Sequence, residues 1–392
     1  MSFDYKSIST ALGVALASTC IASPALADVK IGFLATLSGN GAALGQDMID
    51  GFKLALDERD GKLGGQVINL LIEDDQLKPD VGVQAVRKFL EKEKVDIVAG
   101  VTFSNVMMAV AKPVADADVT FVGSNAGPAP LAGKQCNKGF FFASWQNDNQ
   151  AEVVGKFATD KGYKKVYLMA PNYQSGRDQI VGFKRFYKGP VAGETYTQLN
   201  QPDYSAELAQ LQAAAPDALY VFFPGGMGVN FIKQFKQAGL LGKIPLLTVS
   251  TTDGTTLPAL KDIALGVYSG TFWGPDFQNA TSKAFTAAFE KKYGRIPSQY
   301  AAQAYDSALL IDSALKKTSG NVADKKAFRA ALRSADYASL RGSYKFSANG
   351  FPVQDFHIFE VATDAGGRVS LKTIATPLKA HRDAYVAECP VN

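Results

Sequence analysis

Residues 95–131 read VDIVAGVTFSNVMMAVAKPVADADVTFVGSNAGPAPL, and no other stretch restricts the fold as much. Two short apolar runs, Val95–Val101 and Val119–Gly123, have the length of buried strands, and Val106–Ala117 between them has helical length and spacing. Strands joined through a helix run parallel in one sheet, because the helix carries the chain back to the edge where it started. Each strand exit bears small residues with hydroxyls, amides and backbone N–H groups: Phe103-Ser104-Asn105 after the first, Ser124-Asn125-Ala126-Gly127 after the second. In an open α/β sheet small ligands bind at the carboxyl ends of strands. These loops are therefore one expected wall of a site, and the rest of the chain is expected to supply the other.

The same alternation continues on both sides. Val29–Leu37 reads as a strand ending in Ser38-Gly39-Asn40-Gly41, Gly45–Arg59 as a helix, Val67–Ile72 as a strand and Pro79–Lys92 as a helix. After the apolar run Phe140–Trp145 a second series begins. It has helices at Asn149–Lys161, Gly176–Tyr187 and Asn230–Ala238. Its strands, Lys165–Ala170, Ala218–Phe223 and Pro245–Ser250, end in Pro171-Asn172-Tyr173, Pro224-Gly225-Gly226 and Thr251-Thr252-Asp253. Helices at Ala280–Tyr293 and Gln299–Lys317 and strands at Tyr344–Phe346 and Phe356–Val361 follow. With 392 residues the chain exceeds one ordinary domain. The expected fold is α/β, with two doubly wound three-layer lobes, the second repeating the architecture of the first without repeating its sequence.

The N-terminus carries a positive residue, Lys6, an apolar stretch at Ala11–Ile21, and Ala25-Leu26-Ala27 after Pro24. That is the pattern of an export signal, cleaved after Ala27. Ala17-Ser18-Thr19 is a poor approach to a lipidated Cys20. Two cysteines then remain, Cys136 and Cys389. An oxidising compartment permits a disulfide between them, pinning the C-terminal tail to the first lobe; the alternative is two buried thiols. The net charge of +4 comes from intermixed acids and bases, with no basic block that would imply nucleic acid. Gly39-x-Gly41-x-x-x-Gly45 approaches a dinucleotide fingerprint, but its last spacing is one residue too long and Asp74 and Asp75 come late. No phosphate loop, nucleophile elbow or zinc-protease motif is present, and His357 and His381 lack partners at ligand spacing. Neither a cofactor nor a metal is expected, and an enzyme is disfavoured.

Four segments in order, VKIGFLATLSGNGAALGQDMIDGFKLALDERDGKLGG, INLLIEDDQLKPD, VDIVAGVTFSN with SNAG, and PNYQSGRDQIVGFK, resemble the periplasmic solute-binding proteins of ABC importers, specifically the branched-chain amino acid type. The resemblance spans essentially the whole mature chain. It implies two lobes joined by three crossing strands near Ser144–Gln146, Phe272–Pro275 and Phe346–Pro352, with a solute held between them. Residues 28–145 with 275–348 would form lobe 1, and residues 146–274 with 349–392 lobe 2. It further implies a periplasmic, monomeric protein that hands its ligand to a permease and its ATPase.

By the same resemblance, the family's carboxylate-binding serine falls on Ser104, and its Ala-x-Thr loop on Asn125-Ala126-Gly127. Its first-loop tyrosine falls on Leu44 and its aromatic lid residue on Tyr300. The acid that takes the ligand ammonium falls near Ser250 or Thr251, where no carboxylate stands, although Asp253 is close. The anion-holding half is thus kept and the ammonium-holding half lost, which suggests a carboxylate without an amine. Phe103, Trp145, Tyr173, Phe223 and Tyr300 are candidate walls for an aromatic acid of benzoate or phenylpropanoid type, with Asn105, Ser124 and Gly225 close by. Plainer roles suit the same residues. Ser104 and Asn105 can cap a helix, the aromatics can be core, and Gly225-Gly226 can be a tight turn. Branched-chain amino acid or amide binding, and a sensor domain of the same fold, are the alternatives.

Overall fold

The computed structural model describes residues 1–3 and 28–390. The expected export signal and its cleavage point fall almost wholly on residues 4–27, outside the described residues. In chain order the first part contains β1 (Val29–Ala35), α1 (Ala42–Asp57), β2 (Lys62–Leu63), β3 (Gln66–Asp74), α2 (Pro79–Arg87), β4 (Ile97–Gly100), α3 (Ser104–Asp116), β5 (Thr120–Gly123), α4 (Ala129–Ala132) and β6 (Phe140–Phe142). Next come α5 (Asn147–Asp160), β7 (Val166–Pro171), α6 (Gln174–Phe186), β8 (Val191–Thr197), α7 (Ser205–Ala214), β9 (Ala218–Phe222), α8 (Gly226–Gln237), β10 (Leu246–Val249), α9 (Leu257–Leu260) and β11 (Tyr268–Thr271). The last part holds α10 (Ala280–Tyr293), α11 (Gln299–Lys317), α12 (Lys325–Ser334), β12 (Lys345–Phe346), β13 (Pro352–Thr363) and β14 (Val369–His381).

Two sheets result. The first has the order β2-β3-β1-β4-β5-β6 and is parallel apart from the β2–β3 hairpin. The second has the order β12-β13-β11-β10-β9-β7-β8, parallel from β8 to β11 and antiparallel beyond, with β14 paired to β13. β1, β4 and β5 are buried on both faces, as strands covered by helices must be. α1 presents Leu44, Met48, Phe52 and Ala55 to the core at one-turn spacing and packs along α11. Gly51 makes that approach possible, since a Cβ there would lie 2.1 Å from the Ala301 carbonyl oxygen.

The chain passes between the sheets three times: after β6, after β11, and through the β12–β13 hairpin. One side chain meets all three passages. The Arg341 guanidinium donates to the Ala143 oxygen at 2.5 Å and the Ser144 oxygen at 3.1 Å in the first. It lies 4.4 Å from the ring centre of Phe272 in the second and donates to Gln354 Oε1 at 2.8 Å in the third. Asp306 of α11, itself fully buried, neutralises it at 3.0 Å and accepts further bonds from Ser339 and the Leu340 N–H.

Cys136 and Cys389 form a disulfide across 253 residues, with Cα atoms 5.6 Å apart. The same tail is held by polar contacts. His381 meets Glu152, Tyr385 donates to Asp148 at 2.8 Å, and Arg185 sits between Asp148 and Glu152.

Candidate functional site

In each sheet the strand order reverses beside its first strand. β1 lies between β3 and β4, and β7 lies between β8 and β9. Loops leaving adjacent strands at such a point diverge to opposite faces and open a crevice at the carboxyl ends. The loops after β1, β4 and β5 on one side, and after β7, β9 and β10 on the other, close a narrow chamber with about 20 Å³ of free space. Of the residues expected there, Phe103, Ser104, Asn125, Ala126, Trp145, Tyr173, Ser250 and Tyr300 line it, and so does Leu44.

The polar end is built around the start of α3. That helix begins at Ser104, with Phe103 at the cap position in an extended conformation and no side-chain cap. Ser104 is therefore the first helical residue and not a cap, and the first-turn N–H groups have no side chain to satisfy them. Ser104 Oγ accepts a bond from Asn147 Nδ2 at 3.0 Å, which leaves its own proton free to be donated. From the opposite lobe α6 begins at Gln174, after Tyr173, again with no side-chain cap, and Ser175 of its first turn lines the chamber. Two helix N-termini thus bring partial positive charge to one small space. No lining residue carries a charge.

The backbone under α3 is strained. Val101, β-branched and fully buried, sits at φ 65°, a conformation that costs about 1–3 kcal/mol. It is held by bonds from its N–H to the Leu34 oxygen at 2.6 Å and from the Ala126 N–H to its own oxygen at 3.1 Å. Thr102 Oγ1 adds a bond from the Thr36 N–H at 2.9 Å, joining the loops after β1 and β4.

One layer behind the chamber, Asp178 of α6 accepts bonds from three places. These are Asn147 Nδ2 at 2.9 Å, Gln174 Nε2 at 2.8 Å and, from the first lobe, the Ala129 N–H at 3.1 Å. Burial, followed by the charge of Asp148, pushes its carboxyl up to about 7.

Other expected residues stand outside the chamber. Asn105 turns away and donates to the Leu77 oxygen at 3.4 Å, and Ser124 shares a bond of 2.9 Å with Ser307. Gly127 uses its N–H on Asn147 Oδ1 at 3.1 Å. Phe223 stacks on Phe231 with centroids 4.8 Å apart, and its N–H bonds to Thr251 Oγ1 at 2.8 Å, so both residues serve the second lobe's interior. Asp253 does not replace the missing ammonium acceptor: one of its oxygens holds Thr255 by the N–H and the hydroxyl, and it lines no part of the chamber. Gly225, at φ 63°, meets the first lobe instead, where a Cβ would come within 2.7 Å of the Asn40 oxygen and of Leu44 Cδ1. Asn125 lines the wall, but its amide is drawn back by Thr102 and Gln303.

The structure adds Thr102, Asn147, Gln150, Ser175, Gln179, Phe222 and Pro224 to the lining. A signal for the amides existed: Gln146-Asn147-Asp148-Asn149-Gln150 is a run of five polar residues directly after an apolar one, and all five are buried. Asn147 and Gln150 lie three residues apart on one face of α5.

Comparison with known proteins agrees with this geometry. The family described as periplasmic binding protein matches residues 28–368. A Leu/Ile/Val-binding protein homolog from Brucella melitensis is 26% identical over 369 residues, covering 91% of this chain and 93% of the relative. A solute-binding protein of an ABC transporter from R. palustris, solved with benzoate, is 30% identical with a TM-score of 0.88, covering 93% of this chain and 100% of that one. Another from Rhodopseudomonas palustris BisB5, solved with 3,4-dihydroxy benzoic acid, is 26% identical with a TM-score of 0.84, covering 91% of this chain and 99% of that one. With its two sheets, its three passages and a match along nearly all of its described length, the chain belongs to the periplasmic binding protein family.

Proposed function

We propose that this protein is the periplasmic solute-binding component of an ABC importer and captures a small aromatic carboxylate, of benzoate or phenylpropanoid type, by closing its lobes. One observation carries the reading: two helix N-termini without side-chain caps, from opposite lobes, meet in a chamber with aromatic walls and no charged side chain. An α-amino acid would need an acceptor for its ammonium, and no lining residue supplies a carboxylate. The similarity to structures that hold benzoate and dihydroxybenzoate supports the same choice.

Magnitudes show why both ends are required. Burying about 150 Å² of ring at about 25 cal/mol/Å² yields about 4 kcal/mol. Micromolar affinity needs about 8 kcal/mol, before the cost of losing free motion is added. Charge-assisted bonds from Ser104 and the first turn of α3 supply the remainder. Ligand docks on the first lobe, and the contacts made only on closure, from Tyr173, Phe222 and the start of α6, shift the population to the closed form that a permease recognises. The export signal ending at Ala27 delivers the chain to the periplasm as a monomer, and the lobes divide as residues 28–145 with 275–348 and 146–274 with 349–392. The chain performs no chemistry on its cargo.

A thermal-shift and calorimetric screen with benzoate, 4-hydroxybenzoate, coumarate, phenylpyruvate and leucine tests this reading, because a bound ligand raises stability by mass action. Binding of at least one aromatic acid with no response to leucine is expected. Tight leucine binding with no response to any aromatic acid would sink it.

A further inference from the structure

Among the described residues, two fully buried polar atoms of the chamber wall have no hydrogen-bond partner: Gln150 Oε1 and the Tyr300 phenol. The two residues are 0% and 1% exposed. A row of side chains sets how Gln150 is turned. Its Nε2 donates to Thr271 Oγ1 at 3.1 Å and to Gln299 Oε1 at 3.3 Å, while Gln299 Nε2 donates to Ser250 Oγ at 3.1 Å. That leaves Gln150 Oε1 without a partner. The Tyr300 phenol stands close enough to Ser250 and Gln299 to interact with both, but makes a hydrogen bond of good geometry to neither. The two unmet atoms therefore flank one amide, that of Gln299.

This corner is distinct from the anion end. The Ser104–Asn147–Asp178 set and the Gln150–Gln299–Ser250 set share no hydrogen bond. Gln150 follows Asn147 by three residues on α5, which places it about 5 Å further along the helix axis, close to the span of a benzene ring. A buried acceptor or phenol left unmet costs about 1–3 kcal/mol. A site with such atoms discriminates strongly against an analogue that cannot reach them.

We propose that the chamber selects an aromatic acid carrying a ring hydroxyl on the edge away from its carboxylate. The hydroxyl donates to Gln150 Oε1 and accepts from the Tyr300 phenol. A hydroxyl does both with one atom, whereas the C–H edge of benzoate does neither. This rests on the aromatic-carboxylate reading above.

Calorimetry on the mature chain with benzoate, 3-hydroxybenzoate and 4-hydroxybenzoate tests it, repeated with Tyr300→Phe and, independently, Gln150→Leu. The wild type is expected to bind at least one hydroxy acid fivefold or more tighter than benzoate, and each variant that binds is expected to show a smaller ratio. A ratio below fivefold in the wild type, or a ratio undiminished in a binding variant, overturns the hydroxyl site while leaving the aromatic-acid reading in place. Failure of all three acids to bind overturns both.

Discussion

The loop after β4 and the loop after β9 occupy equivalent places in the two sheets, yet they are built to opposite ends. The first forces Val101 into a left-handed conformation and ties it down with backbone bonds to β1 and to the loop after β5. That rigidity fixes the start of α3 before any ligand arrives. The second, Pro224-Gly225-Gly226, takes its positive φ at a glycine, without strain, and spends its surface on Asn40 and Leu44 across the cleft. In the function proposed above, one jaw holds the anion and the other latches. On that proposal, a paired fold divides capture and closure between loops that occupy the same position in each half.

Four tests break or sharpen that contrast, in decreasing order of effect. The division needs two bodies turning about one hinge. Arg341→Met, which strips Asp306 of its partner and frees all three passages, should cost about 3–5 kcal/mol in chemical denaturation; a loss under about 1 kcal/mol would mean that the passages hold without it. Reducing the Cys136–Cys389 bridge should cost about 2–4 kcal/mol in the same assay, with ligand affinity kept, since the bridge lies away from both jaws.

Next, Ser104→Ala should weaken carboxylate binding by about 1–3 kcal/mol, whereas Gly225→Ala should leave the anion site intact and act on closure. In stopped-flow measurements the first is expected to raise the dissociation rate. The second is expected to slow or abolish the closing phase. Identical kinetic signatures would erase the distinction between the jaws.

The smallest effect concerns Asp178, which bridges the lobes behind the chamber. Its carboxyl is raised to about 7 by burial and by Asp148, so between about 4 and 7 the folded chain retains a proton that the unfolded chain has lost. Its contribution to stability is therefore full at low pH and is lost as pH rises through 7. Asp178→Asn should flatten the fall in Tm over that window relative to wild type. Parallel curves would remove Asp178 as the source.

Much of this was readable in the residues. Helices expected at Ala280–Tyr293 and Gln299–Lys317 coincide with α10 and α11, because Asn279 and Ser298 cap their starts with side chains and Gly294 ends the first of them. The chamber-lining loops at Ser104 and Asn125-Ala126 were legible as small polar residues at strand exits. Elements lacking a periodic signal were not. β8 is an edge strand of mostly half-exposed residues, and β14 is a long outer strand interrupted by Pro377. The Gln179 contribution was hidden for another reason: an amide on a helix face reads as solvated until the other lobe is known to cover it. The reverse error put Phe223 and Asp253 in the site, because a strand end gives the neighbourhood of a side chain but not the direction in which it turns.

The bridge between Cys136 and Cys389 has a topological result. Both sulfurs lie outside residues 146–274, so that whole stretch sits within a covalent ring. A protease that nicks it once would yield a species that migrates as one molecule until a reductant is added, and damage acquired in the cell envelope would not by itself shed either half.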